Sequence, residues 1–68
     1  MTRKDILQRI ESIKQIKDND ERAHSAEDRL RADVLLEISR GHMDAGDMAE
    51  LASLALSTSE IDFCRWCA

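Results

Sequence analysis

A chain of 68 residues makes one domain, small enough that folding hides only about 60% of the surface its unfolded chain exposes. Fourteen acidic residues against ten basic ones give a net charge of −4. Residues 43 to 68 hold a single base, Arg65, against Asp44, Asp47, Glu50, Glu60 and Asp62, a balance that repels phosphate backbones.

Cysteine occurs only as Cys64 and Cys67, too close together to close a useful loop, so a disulfide scaffold is excluded. The opening Met1-Thr2-Arg3-Lys4-Asp5 has no apolar run behind its positive start, which predicts neither a signal peptide nor a membrane span and points to the cytosol. There is no proline, the only glycines are Gly41 and Gly46, and no stretch alternates as a strand does. An all-α fold is the expectation.

The first helix is predicted from Arg3 to about Asp18, with Thr2 as its cap and Asp5 three residues on in a capping-box arrangement. Ile6, Ile10 and Ile13 fall on one stripe at ~100° per residue, Leu7 and Ile16 widen it, and Gln8, Arg9, Glu11 and Lys14 face water. Lys17 to Arg22 is expected to be a short polar link.

The second helix is placed after Ser25, with Asp28 at the matching capping position, and runs to Arg40, where Gly41 supplies a left-handed stop. Its main apolar face is Ala26, Leu30, Val34 and Ile38, with Leu35 at the edge. Leu36 points roughly 100° or more away from that arc, so this helix has apolar surface on two sides.

Asp44 caps a third helix that ends near Ser57. Met48, Ala49, Leu51, Ala52, Leu54, Ala55 and Leu56 cover almost its whole circumference, which predicts burial, and its alanines permit close approach. A short fourth helix is expected from Thr58 or Ser59 through Trp66, because good caps are followed by no breaker. The whole is a single domain, residues 1 to 68: a small helical bundle of three longer helices and a short C-terminal one.

Cys64 and Cys67 form a C-x-x-C, in other settings a redox pair or half a zinc site. Redox pairs open a helix near a βαβ pattern, and this chain has no strand signal. Zinc would need two more ligands, and His24 and His42 are isolated from each other. One cysteine packing as a small hydrophobe explains the pair better, so neither metal nor cofactor is expected.

Nucleophilic catalysis needs a cysteine or serine beside a histidine and an orienting acid; those residue types are present, but 68 helical residues offer little room for a water-excluding pocket, and Glu27 with Asp28 suits the dipole of a first helical turn. An enzyme is not expected. Helices two and three could be drawn as a helix-turn-helix, but residues 44 to 57 contain no Arg, Lys, Asn or Gln to reach phosphates or base edges. Nucleic acid is therefore not an expected partner.

The segment Ile61-Asp62-Phe63-Cys64-Arg65-Trp66 holds both aromatic residues of the chain beside an arginine. Trp and Arg are the side chains most enriched at binding hot spots, although Phe63 and Trp66, three apart on a helix, could equally close the core. Surplus apolar surface on helices two and three wants an intermolecular outlet. The predicted partner-binding set is Leu36, Leu54, Phe63, Arg65 and Trp66.

The stretches Ala23-His24-Ser25-Ala26-Glu27-Asp28-Arg29-Leu30-Arg31 and Leu56-Ser57-Thr58-Ser59-Glu60-Ile61-Asp62-Phe63-Cys64-Arg65-Trp66-Cys67-Ala68, about a third of the chain, resemble segments of small proteins encoded by temperate bacteriophages and prophages. The resemblance implies a bacterial cytoplasm and an accessory protein that modulates a host or phage component, and it carries no catalytic signature. Three function classes follow in order: a protein-binding modulator, a homodimeric assembly module, and a zinc-dependent nucleic-acid-binding or redox protein using Cys64 and Cys67.

Overall fold

A computed structural model of the chain describes residues 1–65. Three helices form in the order α1 (Arg3–Gln15), α2 (Asp20–Ser39) and α3 (Ala45–Leu56), and a 3₁₀ turn, Ser57–Glu60, continues directly from α3. There is no strand among the described residues, and no helix among them is long and apolar enough to cross a membrane.

The caps read from the sequence hold the helix starts. Thr2 Oγ1 accepts the Asp5 amide at 3.2 Å while the Thr2 amide donates to Asp5 Oδ2 at 2.8 Å, the reciprocal pairing that satisfies two orphan donors of α1. Asp44 Oδ1 accepts the Asp47 amide at 2.8 Å and starts α3. Gly41 takes φ +72° just beyond α2, a left-handed conformation that only glycine adopts cheaply.

The start of α2 differs from the sequence expectation. The helix begins at Asp20, not after Ser25, because Asn19 Oδ1 caps the Arg22 amide at 3.1 Å, and Asp20 and Glu21 in the first turn suit the helix dipole. The link between α1 and α2 therefore shrinks to residues 16–19, and Ser25 is an exposed interior residue of a 20-residue helix. The extra turn brings Ala23 fully into the core.

A second correction falls on the C-terminal segment, where the fourth helix is absent through Arg65. Thr58 is buried and donates its hydroxyl to the Ala55 carbonyl at 3.0 Å, so it closes α3 and caps nothing beyond it. Ile61 turns extended at φ −73°, ψ 126°. Side chains two apart then share one side, and Ile61 and Phe63 are both buried while Asp62 between them is exposed. A helix would have set those two 200° apart and left one of them in water.

Each helix touches the other two. Between them lie Ile6, Ile10 and Ile13 of α1, Ala23, Leu30 and Val34 of α2, Leu51 and Ala55 of α3, and Ile61 and Phe63 of the strap formed by residues 61–65. Burial stabilises each large aliphatic side chain of this set by ~1.5–3 kcal/mol. Two ion pairs tie the rim: Arg9 to Asp33 at 2.8 Å between α1 and α2, and Arg3 to Glu50 at 2.7 Å between α1 and α3.

Candidate protein-docking face and the arginine lock beside it

Helix α3 is apolar nearly all round, as its sequence indicates, yet it is not buried all round. Leu51 and Ala55 enter the core and Leu54 packs half-buried against it, whereas Ala49 and Leu56 are exposed. At ~100° per residue, Ala45, Gly46, Ala49, Ala52, Ser53 and Leu56 share one arc of about 120° on the side away from Leu51. That arc has no charge.

Helix α2 continues this surface. A groove of about 190 Å³ runs between the two helices, floored by Val34, Ile38 and Ala55 and flanked by Leu35 and Leu56. Leu35 is 66% exposed and Leu56 62%. Farther round α2 come Ala32, Leu36 and Ser39, all exposed. Two acids share this outer arc, the exposed Glu21 and Asp28, the latter 3.4 Å from His24 Nε2. By contrast, the outer side of α1 shows Arg3, Lys4, Glu11 and Lys14, with Leu7 as its one exposed leucine.

The groove ends at Arg31, where a second feature begins. Glu27 is a carboxylate 1% exposed, and an unpaired charge in such a place is too costly to persist. Arg65 meets it with two parallel bonds, Nε to Oε1 and Nη2 to Oε2, each 2.9 Å, the geometry in which guanidinium–carboxylate pairing is strongest. Arg31 Nη2 stands 3.6 Å from the same carboxylate and donates to Thr58 Oγ1 at 3.2 Å.

Arg65 also donates to the carbonyls of Thr58 at 2.6 Å, Ile61 at 3.0 Å and Phe63 at 3.3 Å. Its guanidinium lies 4.0 Å from the centre of the Phe63 ring. One side chain thus satisfies carbonyls left open where the helix stops, neutralises a buried acid, and stacks on the aromatic that closes the core. Burial alone would raise the pKa of Glu27, but the hydrogen bonds from Arg65 and the positive charges of Arg31 and Arg65 outweigh it and hold the carboxyl below the ordinary glutamate range.

The partner-binding residues expected from sequence are not gathered into one place. Leu36 is exposed on the outer side of α2, Leu54 is half-buried on the opposite side of α3 from the groove, and Phe63 is buried. Arg65 is spent on Glu27 within the chain. Trp66 lies outside the described residues, as does Cys67. Cys64 is a half-buried free thiol whose amide donates to Asp20 Oδ1 at 3.2 Å, and the described residues contain no group of three His, Cys, Asp or Glu placed to hold a metal ion.

Sequence reasoning missed Glu27 and the Leu35–Leu56 pair. Ala23, Glu27, Leu30 and Val34 are spaced four, three and four apart, the period of a buried stripe, so the acid was marked by its position once the helix was extended back to Asp20. Compared with models of protein families, with curated proteins and with solved structures, the chain matches none.

Proposed function

We propose that this chain is a small non-enzymatic protein-binding module, its helices arranged as a bundle, that docks on protein through the face shared by α2 and α3. The observation that carries the proposal is the open apolar groove between α2 and α3, flanked by the exposed Leu35 and Leu56. Contiguous apolar patches on small proteins mark interaction sites, whereas isolated exposed leucines such as Leu7 do not. The likeness of residues 23–31 and 56–68 to phage and prophage proteins supports a role as an accessory factor acting on a host or phage protein in the bacterial cytoplasm.

The test expresses the tagged chain in bacterial cells together with an untagged copy, as wild type, as Leu56→Glu and as Leu7→Glu. A protein, or the untagged chain itself, retained by wild type and Leu7→Glu but lost by Leu56→Glu supports docking through α2 and α3. Equal recovery by all three, or no specific recovery by wild type, refutes it.

A further inference from the structure

The arginines of this chain are not spent alike. Arg3, Arg9, Arg31, Arg40 and Arg65 each meet a carboxylate within the chain. Arg22 and Arg29 are exposed and meet none among the described residues. Both stand on the same row of α2, two turns and about 10 Å apart along its axis, with Ala26 between them and Asp33 one turn on.

This row looks toward α1. Asp33 accepts from Arg9 Nη1 at 2.8 Å, and Ala26 packs half-buried against the core. A cleft of about 160 Å³ opens there between the helices, lined by Arg9, Ser12, Ile13, Ala26 and Arg29. The short side chain of Ala26 keeps the floor low, so the long side chains of Arg22 and Arg29 can turn over it from either end. On a chain of net charge −4, this flank of α2 thus gathers three guanidiniums against one carboxylate, Asp33, which Arg9 already holds.

The chemistry of the missing counter-charge follows from the arginines and from what surrounds them. Guanidinium pairs with carboxylate or phosphate through two parallel bonds. Acids frame the positive area on every side: Asp5 one turn from Arg9, Asp18 in the link before α2, and Glu21 and Asp28 about 100° round the helix. A nucleic-acid strand, with a phosphate every 3.4 Å or so of duplex axis, would run on from the arginines into those acids. Two carboxylates about 10 Å apart fit inside the frame, the spacing of side chains seven apart on a helix or three apart on a strand.

We propose that the α1/α2 cleft is a second docking site, on a different flank of α2 from the Leu35–Leu56 groove, and that its occupant is an acidic segment of another protein whose carboxylates Arg22 and Arg29 clasp. The experiment is fluorescence anisotropy at low ionic strength, where such pairs are least screened. The probes are a labelled alanine-rich helical peptide with two glutamates seven apart, the same peptide with glutamines, and a labelled single-stranded DNA. Each is titrated with wild type, with Arg22→Gln/Arg29→Gln, and with Lys4→Gln as a control on the far side of α1.

Wild type and Lys4→Gln are expected to bind the glutamate peptide alike and the glutamine peptide not at all. The double variant weakens binding by about tenfold or more, since two ion pairs are lost. Arginine Nε–Hε resonances of the unmutated chain give the answer without a substitution, because those of Arg22 and Arg29 shift when the glutamate peptide is added. No binding, binding undiminished in the double variant, or an equal hold on the glutamine peptide overturns the site. DNA held as tightly as the glutamate peptide through the same arginines overturns its occupant, as do Arg22 and Arg29 resonances that shift when the chain is concentrated alone, which would assign the cleft to a second copy. The α2/α3 docking face stands or falls by Leu56→Glu and is untouched by any of these results.

Discussion

Replacing Arg65 by alanine removes the cation and leaves the acid. Glu27 stays where α2 puts it, 1% exposed, with only Arg31 nearby at 3.6 Å. Stripping one partner from a buried ion pair costs about 3–5 kcal/mol, because the remaining charge has neither water nor a counter-ion. The lower end applies here, since the Arg65 side chain is itself 29% exposed and Arg31 gives partial compensation. A loss of about 3 kcal/mol is expected. Small domains hold roughly 0.05–0.15 kcal/mol per residue, so this is a large part of the total, and it lowers the melting temperature by more than about 10 °C.

Urea titration followed by circular dichroism at neutral pH measures the loss, and two companion variants show its origin. If the cost is an uncompensated buried charge, the double variant Glu27→Leu/Arg65→Met removes both charges and recovers most of the stability, while Arg65→Lys, which cannot form the two parallel bonds, recovers little. The reasoning is refuted if Arg65→Ala loses under about 1 kcal/mol, or if the double variant is as unstable as the single one. The second result would assign the role of Arg65 to its bonds with the Thr58 and Ile61 carbonyls, which both variants lack.

Acid should weaken the same lock. The folded-state carboxyl of Glu27 titrates below its ordinary value, so the unfolded chain binds the proton first. Its contribution is complete above the ordinary glutamate value of about 4.3 and disappears as the pH falls through the lower folded value. Asp5 moves the same way, chiefly because the Thr2 amide donates to it. Urea midpoints from pH 7 to 3 should therefore fall more steeply in wild type than in Glu27→Gln, and parallel curves would refute the assignment. Gly41→Ala should cost about 1 kcal/mol although a Cβ at that position meets nothing within 4 Å, because φ +72° itself strains an L-residue; an unchanged urea midpoint would contradict this.

Much of the fold could be read from local signals. The Thr2 and Asp44 caps, the Gly41 stop and the Ile6-Ile10-Ile13 stripe each act within a few residues, and the structure has all of them in place. The errors came from competition between equivalent signals. Asn19 and Ser25 are both competent caps, and nothing between them breaks a helix, so the burial of Ala23 decides for the longer form. Thr58 is an acceptable cap for a new helix as well as a donor that finishes the old one, and the strap is extended because Ile61 and Phe63 can then both face inward. The lock could not be read at all, since residues 38 apart in sequence meet in it and only the packed helices bring them together. At the candidate face, periodicity measured how much apolar surface α3 carries but could not show which sides of it α1 and α2 cover.

The lock and the face share parts, and this bears on how a chain so small can keep an apolar groove open. Arg31 places its stem along the groove and its guanidinium on Glu27 and Thr58. Thr58 comes two residues after Leu56, and its carbonyl accepts the shortest of the Arg65 bonds, at 2.6 Å. Fixing Thr58 therefore fixes where α3 ends and how far Leu56 stands from Leu35 across the groove. Without that restraint the end of α3 could settle toward α2 and bury Leu56 within the chain, since apolar surface closes wherever the backbone allows. The buried charge pair, which gains little net stability over a well-packed apolar alternative, has its clearest consequence in this geometry: it holds the end of α3 at a spacing that leaves Leu35 and Leu56 exposed on either side of the groove.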